Sequence, residues 1–190
     1  MPRKSDTRQR MVHATVRLIR RHGLHGTGLQ QVLAESSAPR GSLYFHFPDG
    51  KQQLTVEAVR YAASRITARL KTIVEEGATP SETVRLLFDS YAAWVERTEF
   101  AEGCPIAGVA LDLAPGWEQA QQACAEAAEE WTRVLAAAFE SAGTAEADSQ
   151  ARAALVLSAL EGALVLARAQ RSAQPMRSAG AELARLLEAR

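Results

Sequence analysis

Apolar residues in this chain return every three or four positions almost throughout, and no segment alternates with a period of two. Runs of β-branched residues are absent, and alanine, the strongest helix former, is abundant. A chain patterned this way has no strands to pair, so the expected fold class is all-α. Its 190 residues, 47% hydrophobic and 23% charged, supply enough apolar surface to close a core of one or two domains.

The periodicity divides into helices with definable ends. The first is expected from Asp6, a suitable N-cap, to His22, with Gly23 as its stop. Met11, Ala14, Thr15, Leu18 and Ile19 form its single apolar stripe. A short second helix follows Thr27, carrying Leu29, Val32 and Leu33. Ser36-Ser37-Ala38 reads as a turn, with left-handed strain expected at Ser37. Pro39 then opens a third helix of about two turns, closed by Phe47-Pro48. Pro48-Asp49-Gly50 is a turn signal, and a longer helix runs from Lys51 to about Val74. Thr79-Pro80-Ser81-Glu82 is a capping box with proline at N1, starting a helix to about Phe100. Breaks at Gly103-Cys104-Pro105 and Ala114-Pro115-Gly116 bracket a short helix to Leu113. Three more helices are expected over 117–142, 149–170 and 176–190.

Net charge is zero overall but unevenly placed. Residues 1–60 hold ten Lys/Arg against four Asp/Glu, a net +6, and the remainder carries −6. All four histidines lie in the basic part. A basic amino-terminal third on an acidic body is the asymmetry of a chain that meets phosphate at one end. Two cysteines, Cys104 and Cys124, make no disulfide framework, and the polar start MPRKSDTRQR carries no secretory signal. The expected compartment is therefore the cytoplasm. The most apolar stretch, 153–169, is interrupted by Ser158, Glu161 and Arg168, so it reads as a buried helix with no membrane partner.

Three short helices before residue 48, the last two joined by a tight turn, describe a helix-turn-helix. Thr27-Gly28-Leu29-Gln30-Gln31-Val32-Leu33-Ala34-Glu35, followed by Pro39-Arg40-Gly41-Ser42-Leu43-Tyr44-Phe45-His46-Phe47 and then Lys51, resembles the TetR-family DNA-binding domain over residues 7 to about 60. The departure is Ser36-Ser37, where that family usually has a small residue and then glycine. The resemblance implies a homodimeric regulator on double-stranded operator DNA. Leu43 and Phe47, at i and i+4, face the three-helix core and leave Arg40, Ser42, Tyr44 and His46 to the DNA side. Thr27, Tyr44, His46 and Lys51 are candidate phosphate contacts, although Thr27 also reads as a plain N-cap, His46 as a satisfied structural histidine and Lys51 as a solvated lysine. Arg40 suits bidentate reading of guanine, and Pro39 or Ser42 a thymine methyl. Gly41 admits close approach.

Gly103-Cys104-Pro105-Ile106, Leu160-Glu161-Gly162-Ala163-Leu164 and Pro48-Asp49-Gly50-Lys51 look like the LmrA/YxaF-like subgroup of that family. The subgroup implies repression relieved by an apolar, often aromatic, small-molecule inducer. Candidate ligand residues are Phe88, Tyr91 and Trp94 on one helix and Trp117, Cys124 and Trp131 on another. Cys104 and Ile106 join them at the break. The plainer reading makes these aromatics core and both thiols inert. The apolar faces of the last two helices, with Leu155, Leu160, Leu164, Leu183, Leu186 and Leu187, are expected to pair two chains.

An enzyme is the competing class. Cys104 would need a histidine from the basic part, no phosphate loop or paired-acid motif is present, and His22-x-x-His25 lacks further ligands for zinc. The chain is expected to be no enzyme and to hold neither metal nor cofactor. DNA binding without an effector is the third reading. The expected domains are 6–66, a three-helix DNA-binding unit, and 79–190, a helical ligand-binding and dimerisation unit.

Overall fold

A computed structural model describes residues 4–188, with side chains from Asp6 onward. Every regular element among them is helical, so the chain is all-α. Helix α1 (Lys4–His22) buries the expected stripe of Met11, Ala14, Thr15, Leu18 and Ile19. Asp6 is not its cap: the helix is already formed at Lys4, and Asp6 pairs one turn on with Arg10 at 2.9 Å. Gly23 ends the helix in the left-handed region, φ +72°, its N–H bonded to the Ile19 carbonyl.

Helix α2 (Leu29–Glu35) buries Val32 and Leu33. Its N-cap is Gly28, whose N–H donates to Gln31 Oε1 at 2.9 Å; Thr27 stands one residue outside. Ser37 takes the expected left-handed conformation, φ +51°. The expected third helix is split into a 3₁₀ turn (Arg40–Ser42) and one α-turn, α3 (Leu43–His46). Gly41 and Ser42 explain the split. Glycine is a weak helix former, and the Ser42 hydroxyl turns back to donate to the Pro39 carbonyl at 2.6 Å. Leu43 and Phe47 are buried with Met11, Val12, Leu18, Val32, Leu33 and Leu54 in one cluster.

Helix α4 (Gly50–Glu76) follows. Helix α5 (Pro80–Arg97) starts as expected, Thr79 Oγ1 accepting from the Glu82 N–H at 3.2 Å. It stops short of Phe100, because Glu99 and Phe100 are both left-handed. Helices α6 (Pro105–Ala110), α7 (Glu118–Ser141), α8 (Glu146–Gln170) and α9 (Gln174–Glu188) complete the described chain. The expected extension of α9 through 189–190 lies outside the described residues.

The chain forms two compact units. The first runs from α1 to Ser64 and takes in Cys104–Ala127; the second holds Arg65–Gly103 and the chain from Ala128 onward. Helix α6 packs on α1, with Gly108 against Ile19. This grouping differs from the 6–66 and 79–190 division, because a stretch remote in sequence is built into the first unit. In the second, α5 packs on α9 and α8. Gly180 of α9 permits that approach: a Cβ there would stand 2.6 Å from the Cβ of Phe88.

Helix α8 is buried on one side only, through Ala153, Val156, Leu160, Ala163, Leu164 and Ala167. Its length and composition would suffice to cross a membrane, but that side belongs to the packed core of the second unit. Ala151, Ala154, Leu155, Ser158, Gly162, Val165, Leu166 and Ala169 form a second, exposed stripe. The reading of this segment as simply buried is thus corrected: one uncharged stripe of it faces outward, with exposed Arg168 off that stripe.

Candidate nucleic-acid interface

Residues 39–46 display an outer face held by an inner one. Leu43 and Phe47 are 2% and 0% exposed and pin the segment to the three-helix core. Pro39, Arg40 and Gly41 are exposed, Ser42 and His46 half-buried, and Tyr44 and Phe45 are 65% and 60% exposed. A Cβ at Gly41 would meet nothing within 4 Å. Packing within the chain therefore does not demand glycine there, and the space lies open to an incoming surface. The His46 ring stands edge-on to Phe45, with centroids 5.1 Å apart.

The amino-terminal charge is less available than a count suggests. Arg8 pairs with Glu57 and lies over the Phe47 ring. Arg10 pairs with Asp6 and donates to the Ser36 carbonyl, and Arg17 pairs with Glu35 at 2.6 Å. These arginines brace the three helices. Arg40 makes no hydrogen bond or ion pair among the described residues, so its guanidinium remains available to an outside acceptor.

Two expected phosphate contacts are turned inward. Thr27 is 2% exposed, and its hydroxyl donates to the Gly23 carbonyl at 2.7 Å. The Lys51 ammonium donates to the Leu24 carbonyl at 2.8 Å, and burial pulls its pKa down against the opposing pull of Asp112. Both side chains serve the loop between α1 and α2 in this structure.

Asp112, just past α6, completes that brace and was missed by sequence reasoning. Its Oδ2 accepts from the His25 N–H at 2.9 Å, and its Oδ1 lies 3.3 Å from His25 Nδ1. The backbone hydrogen bond from His25 is the main reason its carboxyl pKa falls below the usual value. A Cβ at Gly23 would come within 2.8 Å of the same carboxylate. Gln52 adds a bond to the Gly116 carbonyl at 2.9 Å. No local signal announced a partner 87 residues away in sequence.

Residues 11–58 match the bacterial regulatory proteins of the tetR family. Residues 80–182 match the carboxy-terminal domain of LmrA/YxaF-like transcriptional regulators. The chain belongs to the TetR family. The HTH-type transcriptional regulator LmrA of Bacillus subtilis is 32% identical over 171 residues, 90% of this chain and 91% of that protein. An HTH-type regulator of Mycobacterium tuberculosis is 35% identical over 185 residues, 95% of this chain and 93% of its own. The crystal structure of a TetR transcriptional regulator from Chloroflexus aurantiacus superposes with a TM-score of 0.86 at 25% identity, covering 100% of this chain and 98% of that one. This chain is accordingly a DNA-binding transcriptional regulator of the LmrA/YxaF-like kind, and not an enzyme.

The candidate effector residues of this TetR-family chain divide between its two units. Cys104, Ile106, Trp117 and Cys124 lie in the first, and Phe88, Tyr91, Trp94 and Trp131 in the second. Phe88 is core, filling the space over Gly180. Trp131 is buried, and its indole N–H donates to Thr67 Oγ1 at 3.0 Å, so it presents no donor to a ligand. Tyr91 and Trp94 are half-buried and meet edge to face at 5.9 Å. The Cys124 thiol rests 3.8 Å from the Ile106 carbonyl, and burial pushes its pKa up to about 11. It is an inert buried thiol.

Proposed function

We propose that this TetR-family chain is a homodimeric repressor in the cytoplasm, released from its operator by an apolar small molecule. The observation that carries the DNA side is the outer face of residues 39–46, anchored by Leu43 and Phe47 and displaying an unpaired Arg40. On this reading Arg40 reads a guanine edge, Pro39 or Ser42 touches a thymine methyl, and Tyr44 and His46 hold phosphates. Gly41 lets the backbone come close. Residues 6–66 would form the DNA-binding domain, braced by α6, and 79–190 would supply effector binding and dimerisation.

Dimerisation is supported by the exposed stripe of α8, which carries no charge from Ala151 to Ala169, and by exposed Leu186 on α9. Leu160, Leu164 and Leu183 of the expected pairing faces are internal core instead. A Cβ at Gly162 would meet nothing within 4 Å, so a second helix has room to approach there. Two such faces buried against each other would form a four-helix contact, with recognition segments entering successive major grooves about 34–36 Å apart.

For the effector, Tyr91 and Trp94 are the leading contacts. Trp117, half-buried in the other unit, is tested separately. A flat, uncharged aromatic compound suits them. The test begins with a duplex selected from a random library by the full chain. Planar aromatic compounds are then screened for its release, with wild type, Trp94→Ala and Trp117→Ala. Folded variants that hold the duplex but ignore the compound support the reading. Unchanged release in both removes these residues from it, and a monomer at micromolar concentration in sedimentation removes the dimer.

A further inference from the structure

Gly41 and Gly50 lie on either side of the recognition turn, and only the first faces open space. A Cβ at Gly41 would meet nothing within 4 Å, whereas one at Gly50 would stand 3.3 Å from Tyr44 Cε1. Gly50 is the first residue of α4, buried and left-handed at φ +61°. Its place is fixed from both sides. Its N–H donates to the Phe47 carbonyl at 2.9 Å, and the neighbouring Asp49 N–H donates to Gln53 Oε1 at 3.3 Å. Phe47 is itself locked in the core cluster. The Tyr44 ring thus meets a fixed point of backbone through Cε1, the carbon next to the one that bears the hydroxyl. The rest of that side chain is open: Tyr44 is 65% exposed, and its hydroxyl makes no hydrogen bond among the described residues.

An exposed tyrosine held only by its own backbone samples several rotamers, and binding through one of them forfeits the others. We infer that Gly50 is a positioning residue for operator binding: having no side chain, it lets the Tyr44 ring rest on the start of α4, which holds the phenol hydroxyl in place for a backbone phosphate. The inference rests on residues 39–46 being the DNA-facing surface with Tyr44 as a phosphate contact, and it adds a buried residue outside that surface. The left-handed backbone accounts for glycine there only in part. Asparagine also tolerates that conformation, yet any Cβ at this place presses on the ring. The contact asks for glycine where conformation alone does not.

The test uses the full chain and the duplex selected from a random library by wild type. Binding is measured by anisotropy for Gly50→Asn and Gly50→Ala, each in wild type and in Tyr44→Phe. Tyr44→Phe alone should weaken binding roughly tenfold, the scale of a lost hydrogen bond to a charged group. Each Gly50 variant should weaken wild type roughly three- to tenfold, the scale of ordering one side chain, and leave Tyr44→Phe unchanged. Gly50→Asn should melt above Gly50→Ala, because asparagine strains the backbone less, while affinity should not follow that order. Equal weakening in both backgrounds, or Gly50 variants that bind as wild type, would overturn the inference. If Tyr44→Phe binds as wild type while Arg40→Ala does not, the inference falls and the face stands; if neither changes affinity, the face falls too. A second measurement leaves Gly50 in place. In protein labelled at glycine, the Gly50 α-proton that occupies the Cβ position should be shifted by the ring, lose that shift in Tyr44→Leu and keep it on the duplex. A shift absent from the free protein, or lost on binding DNA, shows a ring that is not held there and equally overturns the inference.

Discussion

Residues 43–47 and helix α8 both alternate buried with exposed apolar side chains, yet their surroundings differ. Around the first, Arg40 and His46 border the exposed rings, in the part of the chain that carries net +6. Along the second, from Ala151 to Ala169, the exposed stripe contains only alanine, leucine, valine, glycine and one serine. The first surface fits a polyanion, and the second fits an apolar copy of itself. Exposure alone does not distinguish these surfaces; the charge around it does.

The largest expected effect tests the inner against the outer face of the recognition segment. Phe47→Ala should destabilise the fold by about 3–5 kcal/mol, since a fully buried ring is lost. Phe45→Ala, two residues away, should change stability by about 0.5 kcal/mol or less. Thermal unfolding followed by circular dichroism separates them, and similar losses would break the two-faced description. A parallel pair concerns glycine. Gly180→Ala should destabilise by about 1–3 kcal/mol, because its new Cβ meets Phe88 on the neighbouring helix. Gly162→Leu should leave the unit folded and instead weaken the proposed dimer in sedimentation.

Among the basic side chains, Arg40→Ala should weaken operator binding by about 1–3 kcal/mol and relax base preference. Lys51→Ala should instead lower the melting temperature by an amount equivalent to about 1 kcal/mol, the value of its bond to Leu24. Its salt dependence of DNA binding should stay at the wild-type slope. A slope shallower by about one contact would restore Lys51 to the phosphate-binding set.

The smallest effect belongs to Asp112. Its folded pKa lies below the ordinary value of 3.8, so its contribution is present above that pH. The contribution is lost as pH falls through the lowered value. Asp112→Asn should therefore melt below wild type at pH 7, and the two should converge from about pH 4 downward. A gap that persists in acid would assign the effect to packing and not to ionisation.

The helices themselves were legible because their cause is local. The stripe of α1, the Thr79 cap of α5 and the Leu43–Phe47 spacing depend on residues within a turn or two. What escaped depends on distant partners. The positions of Thr27 and Lys51 looked like phosphate contacts, but their side chains point to carbonyls of the α1–α2 loop. Trp131 and Phe88 looked like pocket walls until Thr67 and Gly180 came against them. For α8, an even spread of small apolar residues concealed which side faces inward, since periodicity needs contrast to show direction.

The inclusion of Cys104–Ala127 in the amino-terminal unit makes this chain less modular than its motif suggests. The polypeptide passes from one unit to the other after Ser64, returns at Cys104 and leaves again after Ala127. An engineer who grafts residues 1–66 onto a foreign effector domain would leave α1 without α6 and the loop at His25 without its carboxylate. The natural unit of exchange is discontinuous: the helix-turn-helix travels intact only if the later segment is transplanted with it.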